Sequence, residues 1–443
     1  MDDPKTPIEG WARFRMPYLK IAAVVALGTG ILAVGVLGPH PAPRPTPSAD
    51  ASLIAQIPSP TVPTVAPFPA PSTSPTVPIA KRSDSLVGLT RVVPLADQIK
   101  VSWLPGQITS GSMAVVGMRI FYVVDGNRIQ STEVGSDQAG QSLVSVPSCE
   151  GINQLAAAGH EVAYVVTSPG GPTATVHDCG GAGRVSWSVW LLDLNGGGPR
   201  RVAQGVRAAS SIEIDEFPIH LALTDSAYAF NRPPVSAAAG SGETVEVHAI
   251  DGRLLWTSQT KRPVASVMLG GGTLAILTDV LSRADGVVNL YTSSAARPDP
   301  APMDQPAASA SLSPDGLHLA WDVAYQGPYP DPDPGVDVAI GTVASGVEKP
   351  LITLTDHVAP APLRPAISST SRGLLVTWFA TAPNGAVYPA VRYATGGNGA
   401  FVPTLQEPIW MDVQGGTLFW VAESAGGWSN VAFAVDLATL GLN

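Results

Sequence analysis

Seven times between residues 119 and 420 the chain repeats one short unit, a turn residue leading into a strand of apolar and aromatic side chains. The copies are Arg119–Val124, Glu161–Val166, Ser226–Phe230, Thr273–Leu277, Leu317–Trp321, Gly373–Trp378 and Thr417–Trp420, and their starts lie 42, 65, 47, 44, 56 and 44 residues apart. A strand this short cannot cover its own apolar faces, so the unit has to be buried against its neighbours. Recurrence every 40–50 residues or so, with Gly and Asp at the turns, predicts the blades of a β-propeller.

A blade needs four antiparallel strands, and the flanks of the repeat supply two more in most copies. Ahead of it lie Met113–Val116, Ile152–Ala157, Ala265–Met268, Ala308–Leu312, Arg364–Ser368 and Ile409–Val413. Behind it lie Arg128–Glu133, Ser186–Asp193, Thr244–Ile250, Val287–Tyr291, Val336–Val343 and Asn430–Asp436. Asp125-Gly126 and Asp285-Gly286 stand where hairpins need residues tolerant of positive φ. The last unit has too little chain after Asp436 for a fourth strand, so Val87–Val93 or Ile99–Trp103 is expected to fill that place and close the ring. Seven blades are expected; the 65- and 56-residue separations leave room for six or eight.

Composition agrees with an all-β chain. Of 443 residues 45% are hydrophobic and only 14% charged, with 45 Gly and 43 Pro. Exposed helix faces would call for Glu, Lys and Arg, whereas strands joined by tight turns use Thr, Ser, Gly, Asn and Pro. A closed propeller accommodates this length as one domain, expected over residues 85–443.

The N-terminus departs from the pattern. Ile21–Leu37 is an uncharged run of 17 residues after Lys20, about 26 Å as a helix and the short end of a bilayer span. Lys5, Arg13, Arg15 and Lys20 precede it and the next basic residue is Arg44. The positive-inside bias therefore makes residues 1–20 a short cytoplasmic tail, 21–38 a single transmembrane helix, and the remainder extracytoplasmic. A cleaved secretory signal, giving a secreted protein, is the alternative; no small-x-small site follows the apolar core closely. Residues 39–84 are rich in Pro, Ser, Thr and Ala with almost no charge, the composition of a polyproline-type spacer.

Three stretches carry a family resemblance. Ser311-Leu312-Ser313-Pro314-Asp315-Gly316-Leu317-His318-Leu319-Ala320-Trp321 resembles the hairpin of TolB-like, WD40-like propeller repeats, and Leu191-Leu192-Asp193-Leu194-Asn195-Gly196-Gly197 resembles the strand and turn that follow it. Ala249-Ile250-Asp251-Gly252-Arg253-Leu254-Leu255-Trp256 is similar to a turn of quinoprotein-like propellers. The resemblance implies a propeller over residues 86–443 and no particular activity. Physically, Asp315-Gly316 makes a tight turn stiffened by Pro314, with Leu317, Leu319 and Trp321 expected on one strand face.

Residues with chemical potential are few and scattered. Cys149 and Cys179 are the only cysteines; in an extracytoplasmic domain they are expected to form a disulfide, with a metal site including His177 as the alternative. Asp331, Asp333 and Asp337 surround Gly335 without the closing glutamate of a calcium loop. Glu213, Asp215 and Glu216 read as a polar strand edge or an acid/base cluster. Ser258-Gln259-Thr260-Lys261 fits S-x-x-K but lacks its companion motifs, and no G-x-S-x-G elbow is present. No catalytic residue, metal ligand or cofactor is assigned. Beyond residue 20 the chain carries 21 basic and 32 acidic residues, a balance that repels nucleic-acid phosphates.

Two functional classes follow. One is a membrane-tethered scaffold for a protein, peptide or envelope polymer. The other is a propeller enzyme, a lyase, hydrolase or quinone-dependent dehydrogenase, with a site at the central channel. Converging Asp, His or Arg side chains in the channel favour an enzyme or small-ligand site; small or apolar walls favour the scaffold.

Overall fold

The repeated strand is the most apolar of each unit because it is covered on both faces. In the computed structural model Arg119–Val124 has five consecutive buried residues, and Thr417–Glu423 likewise buries the five from Leu418 to Ala422. The structure describes residues 89–92 and 99–440 apart from 106–107, 139, 170–183, 209–218, 235–241, 279–287, 308, 325–335, 344–351, 354–363, 382–385, 395–398, 403–407 and 424–428. The expected cytoplasmic tail, transmembrane helix and Pro-rich linker lie outside these residues.

The chain forms a seven-bladed β-propeller. Two strands, β1 (Leu89–Val92) and β2 (Ile99–Pro105), precede the first blade, β3 (Ile108–Val116), β4 (Arg119–Val124), β5 (Arg128–Glu133) and β6 (Gln141–Ser145). Blade 2 is β7 (Gly151–Ala158), β8 (Glu161–Pro169), β9 (Arg184–Asp193) and β10 (Arg200–Ala208). Blade 3 is β11 (Leu221–Leu223), β12 (Ala227–Arg232), β13 (Thr244–Ala249) and β14 (Leu254–Gln259). Blade 4 is β15 (Val264–Gly270), β16 (Thr273–Thr278), β17 (Val288–Ser294) and β18 (Arg297–Ala307). Blade 5 is β19 (Ala310–Leu312), β20 (His318–Ala324), β21 (Val336–Thr342) and β22 (Ile352–Thr353). Blade 6 is β23 (Ala366–Thr370), β24 (Gly373–Thr381), β25 (Val387–Tyr393) and β26 (Gly399–Phe401). Blade 7 takes β27 (Pro408–Gln414), β28 (Thr417–Glu423) and β29 (Ser429–Asp436) from the C-terminal end of the chain.

All seven repeats are the second strands of their blades. The long separations hold connections rather than an eighth blade, which settles the number at seven. The fourth strands of blades 1–6 were not located from the sequence, and among the first three strands of each blade two escaped the pattern, β11 and β25. β11 is only three residues long, and the outward face of β25 is only partly buried, so neither offers enough apolar alternation to stand out.

Both N-terminal candidates for ring closure are used. β2 is the fourth strand of blade 7, antiparallel to β29 from Ile99 opposite Val435 to Pro105 opposite Ser429. β1 adds a fifth strand to blade 6, parallel to β26. The last blade is thus built from both ends of the propeller, and its third strand is not left as an open edge.

The core is a ring of seven apolar clusters, one at each junction between adjacent blades. Successive strand residues point to opposite faces. Alternate side chains of one blade therefore enter different clusters: Phe121 packs toward blade 2, while Ile120 and Tyr122 pack toward blade 7. Trp321, Trp378 and Trp420 fill the junctions between blades 4 and 5, 5 and 6, and 6 and 7, and Trp420 stacks on Phe433 with ring centroids 5.0 Å apart.

Trp321→Ala is expected to destabilise the propeller by about 3–5 kcal/mol, whereas Trp103→Ser, at a side chain 67% exposed, should change stability by no more than about 0.5 kcal/mol; denaturant unfolding measures both. Leu104 is fully buried against blade 1 while Val101, on the other face of β2, is exposed. Leu104→Asp should unseat β2, expose the edge of β29 and produce aggregates in size-exclusion chromatography, and Val101→Asp should leave the elution unchanged.

Candidate functional site

The seven inner strands enclose a central cavity of about 700 Å³, within the range of small-ligand sites. Its walls are mostly small or apolar, among them Met113, Leu155, Leu221, Met268 and Leu312. The strand registers explain why. Two pairs back from the first hairpin of each blade, the inner-strand positions are Ala114, Ala156, Ala222, Met268, Ser311, Ser368 and Asp412. These positions face the next blade where the ring is tightest, so little volume is available. Asp412 is the one ionisable member of that layer.

Among the described residues, three ionisable side chains line the cavity: His220 from blade 3, Arg364 from blade 6 and Asp412 from blade 7. No hydrogen bond or ion pair joins any two of them among the described residues. His220 precedes β11, and its backbone N–H donates to Oδ1 of the buried Asn231. One ring nitrogen meets the Val264 backbone, while Nε2 is buried with no partner. Burial holds the imidazole down at about 4, so it is neutral at physiological pH.

Blade 5 uses the same device. Asp322, one residue past Trp321 as Asn231 is one past Phe230, accepts the backbone N–H of Ser309 and, at 2.7 Å, its hydroxyl. In both blades the chain arriving at the inner strand has an N–H outside the ladder, and a buried polar side chain from the second strand satisfies it.

Arg364 is exposed at the cavity and adopts φ 44 immediately before Pro365. A left-handed non-glycine residue costs about 1–3 kcal/mol, and such residues gather at ligand sites.

Asp412 keeps part of its surface open to the channel although protein atoms surround it. Oδ1 accepts the N–H of Val413 at 2.8 Å. Burial raises its pKa to about 6, only partly opposed by that hydrogen bond. Sequence reasoning passed over His220, Asn231, Asp322, Arg364 and Asp412. The available signal was a lone carboxylate inside an apolar strand, Ile409–Val413, because Asp is seldom buried without a reason.

The residues singled out from the sequence do not assemble here. Asp315 is structural: it accepts the N–H of Leu317 at 2.9 Å and the Ser369 hydroxyl at 3.1 Å, tying the blade 5 turn to blade 6. Burial raises its pKa, but these bonds, the Ser313 hydroxyl and the charge of His318 outweigh burial and hold it below the usual carboxylate range. Gly316 has φ 72, and a Cβ there would lie 2.0 Å from the Gly270 carbonyl oxygen, so blades 4 and 5 meet only because this residue is glycine. Leu317 differs from expectation: it belongs to the turn and is exposed, and only Leu319 and Trp321 share the buried face.

Ser258 lies buried in β14, its hydroxyl bonded to the Pro298 carbonyl and 3.2 Å from the Ser293 hydroxyl, a packing role. Cys149 sits in the turn after β6 and is not a free thiol. Its expected partner Cys179 lies outside the described residues, as do His177, Glu213, Asp215, Glu216, Asp331, Asp333 and the side chain of Asp337. Among the described residues no three His, Cys, Asp or Glu side chains come together as a metal site would require.

A second polar cluster lies at the junction of blades 2 and 3. Arg232 pairs with Glu246 at 2.7 Å, and His248 Nε2 is 3.0 Å from the same carboxylate. Arg232 lies over the Trp187 and Phe230 rings, and His248 stacks on Tyr228 at 5.1 Å. Alternation along β12 and β13 puts Tyr228, Phe230 and Arg232 beside Glu246 and His248, so this is an ion pair set into an interblade core.

No protein-family model matches the chain, and no curated protein does. Several solved structures are similar to it at low identity. The propeller domain of the Trilobed protease from Pyrococcus furiosus is similar at 8% identity and a TM-score of 0.47, over 75% of this chain and 96% of that one. YCF48, solved bound to a D1 peptide, is similar at 11% identity and 0.46, over 78% and 97%. TolB from Acinetobacter baumannii is similar at 12% identity and 0.36, over 76% and 64%.

The hydrogen bond from His248, then those from Arg232 and its charge, lower the pKa of Glu246 from 4.5 to about 2 against the opposing effect of burial. A depressed carboxylate stabilises the fold above its unfolded pKa and loses that contribution as pH falls through the folded value. Stability should therefore decline from about pH 4.5 toward pH 2, and Glu246→Gln should flatten that part of the profile in urea unfolding at a series of pH values.

Proposed function

We propose that this chain is a membrane-tethered, extracytoplasmic binding platform for a protein, peptide or envelope polymer. The observation that carries this reading is the channel wall. Dispersed catalytic groups of a propeller enzyme would gather there, yet the wall is built mainly of small and apolar side chains, and its three ionisable groups come from separate blades without bonding one another. Large apolar side chains are exposed on the outer strands, Val101 and Trp103 on blade 7 and Leu254 and Leu255 on blade 3, as binding surfaces require. Ile21–Leu37 supplies the anchor and residues 39–84 the spacer that holds the propeller clear of the bilayer. A Cys149–Cys179 disulfide would stabilise the propeller in an oxidising compartment.

The test uses the full chain solubilised in detergent as bait for envelope proteins and polymers, with metal and quinone analysis of the same preparation. A partner that rebinds saturably in purified form, with no stoichiometric cofactor, is the expected result. A stoichiometric metal or quinone and no partner would overturn it in favour of an enzyme.

A further inference from the structure

Asp412 stands where the ring closes. Trp410, Asp412 and Gln414 alternate along β27 and so share the face turned toward β3 of blade 1. Gln414 Nε2 crosses that seam to donate to the Val115 carbonyl, and Trp410 packs against the apolar cluster between blades 7 and 1. The carboxylate between them accepts the Val413 N–H at Oδ1 and forms no ion pair among the described residues. Asp412 lines the cavity. At the register-equivalent positions the other six blades carry Ala, Met or Ser, so nothing in the packing of the ring calls for a charge here.

The rest of the wall narrows what that charge would meet. Trp410 and Phe379 bring aromatic surface to the cavity, and Met113, Met268 and Met411 bring flexible apolar surface. A carboxylate beside aromatic faces and thioethers suits a cation carried on an apolar stem, through charge pairing, attraction to the ring faces and burial of the stem. Arg364, exposed at the cavity in its left-handed conformation, is the like charge such a ligand must avoid.

We propose that the central cavity is a binding site for an alkylammonium group, with Asp412 as its counter-ion. The group is either a free amine or the lysine side chain of a peptide; the second source rests on the binding-platform reading, the first does not. Binding is pH-dependent because protonation of Asp412 competes with the ligand. Burial pushes its carboxyl up to about 6, so affinity weakens as pH falls through that value. The other ionisable groups lining the cavity among the described residues are His220, held down at about 4 by burial, and Arg364, an arginine, whose guanidinium does not deprotonate in proteins. Of the strands packed on β27, β3, β23 and β24 carry no ionisable side chain. β28 ends in Glu423, and β25 carries Tyr388, Arg392 and Tyr393, none of which lines the cavity.

Calorimetric titration of the full chain in detergent tests this with n-hexylamine, its neutral counterpart n-hexanol, and an N-acetylated, C-amidated peptide containing one lysine. At pH 7.5 hexylamine should bind at least tenfold more tightly than hexanol. That preference should vanish in Asp412→Asn and shrink in the wild type between pH 7.5 and 5 while hexanol binding stays constant. Arg364→Gln should strengthen the amine. Peptide binding tighter than hexylamine identifies the side-chain source, and hexylamine binding without peptide identifies a free amine. Equal binding of amine and alcohol, no saturable binding of either, or an amine preference that survives Asp412→Asn overturns the proposal. Should Asp412→Asn fail to fold, the wild-type pH series decides alone. A macromolecular partner whose capture is indifferent to Asp412 would leave the platform reading standing while these titrations fail.

Discussion

Burial of each blade against its two neighbours is the interaction on which the rest of this molecule depends. A four-stranded sheet has two faces and few charged residues here to solvate them, so each face must be covered. The seven junction clusters do this in turn around a ring. Because the second strand is central to each blade and apolar on both faces, it contributes to two clusters at once. The large aromatics Tyr122, Tyr164, Phe230, Trp321 and Trp420 recur on it for that reason.

A ring of such junctions works only if it closes. Pairing of β2 with β29 joins the two ends of the propeller, and Leu104, from the N-terminal side, enters the same cluster as Phe419 and Val421 from the C-terminal side. Closure also creates the central cavity as a by-product of geometry. The inner strands converge there, and the small residues at their register-equivalent positions keep the blades from colliding. Where a polar group is buried near this axis it has a stated task in two cases, Asn231 and Asp322, which each satisfy a backbone N–H. Asp412 bonds only the N–H of its own chain neighbour Val413 and holds no separate segment in place, which makes it the notable residue of the channel.

Much of the architecture was legible before any coordinates. The copies Arg119–Val124 and Thr417–Trp420 mark strands that the structure places at those residues or extends by a few, and the missing fourth strand of the last unit pointed to Val87–Val93 or Ile99–Trp103, of which the second fills it. Among the first three strands of each blade, what the pattern missed has local causes. β11 is too short for periodicity to register, and in β25 part of the outward face is polar. Leu317 was placed on a strand because the repeat aligns it with strand residues elsewhere, but the four-residue Pro314–Leu317 turn of blade 5 is longer than the two-residue turns of its neighbours, so Leu317 is left outside.

The site was far less legible, for a reason that applies to any closed repeat. His220, Arg364 and Asp412 are separated by long stretches of chain and share a cavity only because three blades meet at one axis. Local sequence determined which segments form the central strands, where most of them turn and that the last unit needs a strand from the N-terminal side, since those follow from side-chain alternation and nearby turn residues. Tertiary structure alone decided which side chains face the axis, that Asp315 ties two blades together, and that Asp412 sits at a seam among small residues. Those outcomes depend on strand register and ring closure, which bring together positions that no spacing along the chain relates.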